Sequence, residues 1–152
     1  MRVFEDFVSS LFVKLTLKEN NWSHFQQKKY PIAKTDGNTM SVKPDDVISI
    51  NNKIVLISDS KYKGDPTEDE VEQKREDVYQ LLATCRATRC ERGLLIYPMS
   101  TLTPLTEWNV TNSGNPEKFY TLGITPSLLS KPTGLSELLN FLDKNIRGII
   151  QS

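Results

Sequence analysis

The chain has 152 residues and is 38 % apolar, which suits one domain, taken as residues 1–152, with an ordinary core. Its 19 Lys and Arg balance 19 Asp and Glu, so a protein that grips DNA through bulk positive charge is excluded. No apolar stretch approaches the roughly 20 residues a membrane helix needs, and Met1-Arg2-Val3-Phe4-Glu5-Asp6 is too acidic for a signal peptide, so a cytoplasmic protein without membrane association is expected.

From Val3 to Leu17, Phe4, Phe7, Val8, Leu11, Phe12 and Leu15 recur at the spacing of one helical face, and Asn20-Asn21 supplies a stop. Ser23 to Ile32 reads as a half-exposed strand, Asp36-Gly37-Asn38 as a turn and Val42 to Ile50 as a second strand. Asn51-Asn52-Lys53 is a tight hairpin connection, so Ile54 to Tyr62 is expected to pair antiparallel with the preceding strand. Side chains alternate along a strand, which places Val55, Ile57, Asp59, Lys61 and Lys63 on one face.

The acidic run from Asp65 to Glu72 reads as a solvated loop entering a helix, with Thr67 and Glu70 spaced as a capping box. Val71, Val78, Leu81, Leu82 and Cys85 continue that helix to about Arg89, and Gly93 is expected to break it. Leu94 to Pro98 is a short apolar strand, and the order strand, helix, strand implies a crossover within one sheet. Thr101 to Pro116 reads as turn-rich loop, Phe119 to Ile124 as a strand, and Leu135, Leu138, Leu139, Leu142, Ile146 and Ile149 as a closing helix. The expected class is α/β, with a core over about residues 3–98 and a C-terminal strand and helix over about 117–150. Cys85 and Cys90 lack partners for a zinc set, since His24 is the only histidine, and both read as free thiols.

The chemistry concentrates where Lys43-Pro44-Asp45-Asp46 enters one strand and Asp59-Ser60-Lys61 leaves its neighbour. Ionisable groups at the end of a core strand are costly unless they are paired or hold a metal. Magnesium prefers oxygen ligands at about 2.1 Å and keeps several waters, so Asp45, Asp59 and the Ser60 carbonyl form an adequate set, with Mn2+ as a possible substitute. Lys61 would polarise an attacking water or stabilise developing negative charge in phosphodiester hydrolysis. The plainer alternative is a strand-end salt bridge. Gln80 shares a polar helix stripe with Gln73, Asp77 and Thr84, which fits either a site-facing position or solvent, while Tyr62 and Tyr79 read as packing residues.

Pro44-Asp45, Asp59-Ser60-Lys61-Tyr62-Lys63, Asp77-Val78-Tyr79-Gln80-Leu81-Leu82-Ala83 and Gly93-Leu94-Leu95-Ile96-Tyr97-Pro98, in this order, resemble the nuclease domain of McrC. Phe4-Glu5-Asp6-Phe7 resembles that family's first helix. McrC is the cleaving subunit of restriction systems that recognise modified cytosine, and belongs to the PD-(D/E)xK, or restriction-endonuclease-like, superfamily. The resemblance runs from about Phe4 to Pro98. It implies a central mixed sheet flanked by helices on both faces, Asp45 and Asp59 as metal ligands, Lys61 as the catalytic lysine, Gln80 as a site-facing helix residue and Glu5 as a further acid. Ser60 stands where Ala is common, a mild change because only its carbonyl is needed.

DNA is the implied partner, and a homodimer is implied by the need to cut two strands with one site per chain. McrC proteins also carry a region before the nuclease domain, implied to contact an AAA+ GTPase of McrB type. This sequence begins near the first nuclease helix, as either an excised domain or a stand-alone relative would, and in both cases it is not expected to carry that coupling by itself. Two other readings share the fold: a non-cleaving DNA-binding or assembly module, and a nuclease for branched or damaged DNA.

Overall fold

A computed structural model describes residues 2–61, 68–111 and 116–152. The elements in chain order are helix α1 (Arg2–Thr16), strands β1 (Trp22–Gln26), β2 (Tyr30–Thr35), β3 (Asn38–Val42), β4 (Asp46–Ile50) and β5 (Lys53–Ser60), helix α2 (Glu68–Thr88), strands β6 (Arg92–Pro98), β7 (Thr103–Asn109) and β8 (Lys118–Ile124), and helix α3 (Gly134–Gln151). Six strands form one sheet in the order β1-β4-β5-β6-β8-β7, and β2 pairs with β3 in a small separate ribbon. Strand β4 runs antiparallel to both β1 and β5, β5, β6 and β8 are parallel, and β7 is antiparallel to β8. The sheet is therefore mixed, and no helix among the described residues is long and apolar enough to cross a membrane.

The helices bury their apolar stripes on opposite faces of this sheet. Phe4, Val8, Leu11, Phe12 and Leu15 of α1 join Leu138, Leu142, Ile146 and Ile149 of α3 over Ile48, Leu56, Leu94, Ile96, Tyr120 and Leu122. On the other face, Leu81 and Cys85 of α2 pack with Val78 and Leu82 over Val47, Ile57, Leu95, Tyr97 and Phe119. Central β5 runs apolar on both sides, as a strand covered by helices must. The α/β class with helices on both faces is thus the observed architecture, and it is consistent with a restriction-endonuclease-like core.

Several boundaries differ from the expectations. Ser23 to Ile32 is two strands in two sheets, broken where Gln27 takes a left-handed backbone with φ of 56°. The strand expected from Val42 to Ile50 is also split, because Pro44 has no N–H for a ladder, and Asp45 lies just before β4. Asn51 and Asn52, with φ of 51° and 66°, form the expected tight hairpin, which pairs Ile50 with Lys53. Helix α2 ends at Thr88 and turns through left-handed Arg89, whose φ is 57°, with the Cys90 amide donating to the Cys85 carbonyl at 2.9 Å. Gly93 therefore does not end the helix; it lies inside β6.

Strand β7 occupies what reads as loop. Its Pro104 is tolerated because β7 is the sheet's edge, and its mostly exposed residues give little periodic signal. Tyr79 and Leu135 are exposed at 61 % and 40 %, not packed. Cys85 and Cys90 are buried free thiols. The expectations for Tyr62, Lys63, the Thr67–Glu70 capping box, the side chains of the acidic run and of Val71 and Gln73, and the loop at Asn112–Asn115 lie outside the described residues.

Gly93 sets the distance between α2 and the sheet. A Cβ there would stand 2.9 Å from Leu81 Cδ2 and 3.0 Å from Cys85 Sγ. Gly93→Ala should destabilise the protein by about 1–3 kcal/mol through overpacking, read as a lower melting temperature; an unchanged melting temperature would show that α2 yields without strain.

Candidate active site

Register brings the two acidic segments together. Asp46 pairs with Ser58 across the β4–β5 hairpin, so Asp45 stands opposite the Asp59–Ser60 end of β5. The two carboxylates then exchange backbone donors. The Asp45 amide donates to Asp59 Oδ1 at 2.9 Å, and the Ser60 amide donates to Asp45 Oδ2 at 2.9 Å. Gln27 completes the clamp, with its Nε2 donating to Asp45 Oδ1 at 2.6 Å.

Asp59 follows Ile57 along the row of β5 that faces α2, and Lys61 extends that row to the helix. The Lys61 ammonium donates to Gln80 Oε1 at 3.3 Å and lies 3.9 Å from Asp77 Oδ1. Asp77 is buried and accepts a hydrogen bond from the Tyr97 hydroxyl, whose pKa is raised by burial and by the Asp77 charge. Lys61 is itself fixed at the backbone, where its amide donates to the Ile96 carbonyl at 2.8 Å. An apolar cavity of about 490 Å³ lies to the side of this cluster, between Val78 of α2 and Trp108 and Phe119 of β7 and β8, and Tyr97 lines it as well.

On the α1 face a second acid is engaged differently. Asp46 is fully buried, with Oδ1 2.6 Å from His24 Nε2, and His24 stacks on Phe12 with ring centroids 6.0 Å apart. Adjacent residues Asp45 and Asp46 thus serve opposite sides of the sheet. Glu5, half-buried on α1, reaches Asp45 through its charge.

The buried carboxyls hold their protons more tightly than free ones do. Burial first, then the neighbouring Asp59 charge, pushes the Asp45 carboxyl from its ordinary 3.8 to about 7, against the lowering effect of the Ser60 amide; Glu5 and Asp46 add to the rise. Burial raises Asp59 as well, opposed by Lys61 and the Asp45 amide. Burial also raises Asp46, against the pull of His24 and the Ser9 hydroxyl. Hard oxygen donors held close in a dry setting, with Asp45 raised by the Asp59 charge and Asp59 by that of Asp77, are a donor set that suits a divalent cation. Among the described residues no group of three or more His, Cys, Asp or Glu makes up a metal cluster. An ion at this place would rest on two carboxylates, the Ser60 carbonyl and water, a set magnesium accepts.

Of the residues singled out from sequence, Asp45, Asp59 and Ser60 are brought into direct contact, Lys61 and Gln80 are joined to each other, and Glu5 sits at the rim. Asp77, Tyr97, Gln27 and the Asp46–His24 pair were not singled out. Asp77 had a signal, since it lies one helical turn before Gln80 on the same polar stripe. Asp46 had another, as a charge inside an apolar strand. Gln27 had none, because its role depends on where β1 ends.

A family model described as McrBC 5-methylcytosine restriction system component matches residues 1–98, the stretch from α1 to the end of β6. No curated protein matches the chain.

The raised carboxyls set a pH dependence. Asp45 binds its proton more tightly folded than unfolded, so without metal its contribution to stability is full below about pH 3.8 and is lost as pH rises through about 7. Asp59 and Asp46 shift the same way. Metal-free protein should therefore melt at lower temperature at pH 8 than at pH 5. Asp45→Asn should flatten that slope, and an equal slope in the variant would contradict the assignment.

Proposed function

Because the chain belongs to the McrBC 5-methylcytosine restriction system component family, we propose that it is a cleaving component, a magnesium-dependent endonuclease of the PD-(D/E)xK type that hydrolyses phosphodiester bonds in DNA. The observation that carries this reading is the reciprocal Asp45–Asp59 clamp with the Lys61 ammonium held at its side. Such an acid pair with an adjacent lysine can hold the metal and supply the positive charge that phosphodiester hydrolysis at neutral pH calls for.

The cation, Mg2+ or Mn2+ in its place, would be held by Asp45, Asp59 and the Ser60 carbonyl. When bound, it supplies charge neutralisation at the phosphate and an acidified water. The chain's own residues do the rest. The exchanged amide bonds keep both carboxylates oriented before any substrate arrives. Lys61, tethered by Gln80 and Asp77, presents a positive charge beside Asp59, where it attracts the phosphate and stabilises the negative charge that develops as the bond breaks. Asp77 shares that ammonium with Asp59, and Glu5 deepens the negative field that draws a cation in. With a formal net charge of zero, DNA is held by local contacts and not by overall charge.

A restriction component of this family works with other subunits, and an AAA+ GTPase of McrB type is the partner that fits, with modified cytosine as the mark recognised. Two copies of the site are needed to cut both strands, which favours a homodimer or a larger assembly on DNA.

Incubation of the protein with methylated and unmethylated plasmid, with magnesium, with and without an McrB-type GTPase, tests the reading. Asp59→Ala and Lys61→Ala should each lower cleavage by on the order of 100-fold or more while leaving the fold intact by circular dichroism. Undiminished metal-dependent cutting by both variants would remove this site from the reaction. Saturable DNA binding without cutting under every condition would point to a non-cleaving module.

A further inference from the structure

We propose that Gln27 is a positioning residue for cation binding, holding the Asp45 carboxylate in its ligating orientation; the proposal rests on the metal-dependent nuclease reading. Gln27 touches Asp45 twice. Register pairs Gln26 with Asp46 at the end of β1, so Gln27 comes to stand opposite Asp45. Its amide donates to the Asp45 carbonyl at 3.1 Å, and its side-chain Nε2 donates to Asp45 Oδ1 at 2.6 Å.

The backbone there is unusual. Gln27 has φ of 56°, a left-handed conformation that Gly or Asn adopts more readily than Gln. If only the chain reversal mattered, glycine would serve better. The left-handed turn is what lets one residue contact both the main chain and the carboxylate of Asp45, and strained backbone persists where the surroundings over-determine it.

With Gln27 on Oδ1 and the Ser60 amide on Oδ2, both oxygens of Asp45 are held, and rotation of the carboxyl would break one bond or the other. Each oxygen keeps a further lone pair for a ligand. The primary amide is neutral, so it orients the anion without the charge competition a Lys or Arg would bring against a cation. Asp45 needs such a hold because Asp59, Glu5 and Asp46 all repel its charged form. Removing a partner that orients a metal ligand typically weakens metal affinity by about 10–100-fold.

Gln27→Gly separates the side chain from the turn, since it keeps the backbone amide and suits the left-handed conformation; Gln27→Leu keeps bulk without the donor. Mn2+ titrated calorimetrically into the wild-type protein and both variants should show dissociation constants about 10–100-fold weaker in the variants, with Gln27→Gly melting no lower than the parent. Without metal, the Gln27 side-chain amide protons should exchange with solvent much more slowly than those of exposed Gln151, and Asp45→Ala should abolish the difference. Wild-type protein that loses Mn2+ binding on Asp45→Ala but keeps it within twofold in both Gln27 variants would overturn this proposal alone, as would rapidly exchanging Gln27 amide protons. Wild-type protein that binds no Mn2+ would overturn the nuclease reading and this proposal with it.

Discussion

Two carboxylates buried side by side repel, and the structure of this chain's site is organised around making that tolerable. Asp45 and Asp59 each accept an amide from the other's segment, so the bonds that soften the repulsion also lock the β4 and β5 ends together. A buried carboxylate without donors would be protonated or driven to solvent. Here backbone dipoles hold the pair in place but do not cancel its charge, since the Asp45 carboxyl still sits at about 7. The remaining imbalance is what a divalent cation would satisfy, and Lys61 nearby offsets Asp59 only in part.

The two faces of the sheet divide the labour. On the α2 face, Gly93 lets the helix sit close enough for Asp77 and Gln80 to reach Lys61, while Tyr97 on β6 holds Asp77 from below. Packing of an apolar stripe therefore fixes the position of a charged group several residues away on the same helix. On the α1 face, Phe12 and Ser9 support the His24–Asp46 pair, and Glu5 one turn earlier adds its field at Asp45. Core and site are built from the same two helices.

Much of this was legible because long periodic segments carry strong signals. The stripes of α1 and α3, the Asn51-Asn52 turn and the apolar run of β5 ending in Asp59 each follow from local pattern, and they suffice to place Asp45 near Asp59 and Lys61. What escaped depends on tertiary context. Edge strand β7 buries too little to impose alternation, so its Thr, Leu and Trp residues read as loop. Arg89 and Gln27 take left-handed backbones that their types do not advertise. Asp77 looks like a solvated helix acid until the helix is docked, when it becomes buried beneath Lys61.

The least legible part is the one that ties the others together. Edge strand β1 looks from its sequence like a half-exposed segment of no chemical interest, yet it supplies both anchors of the Asp45-Asp46 step. His24 takes Asp46 on one side of the sheet and Gln27 takes Asp45 beyond its end. Adjacent residues on an extended chain point to opposite faces, so fixing both removes the twist by which β4 could otherwise carry Asp45 away from Asp59. An edge strand is ordinarily the part of a sheet most easily frayed. By tethering it at two buried acids, the fold makes the order of β1 and the geometry of the acid pair depend on each other, and filling the site with a cation should tighten that edge as well.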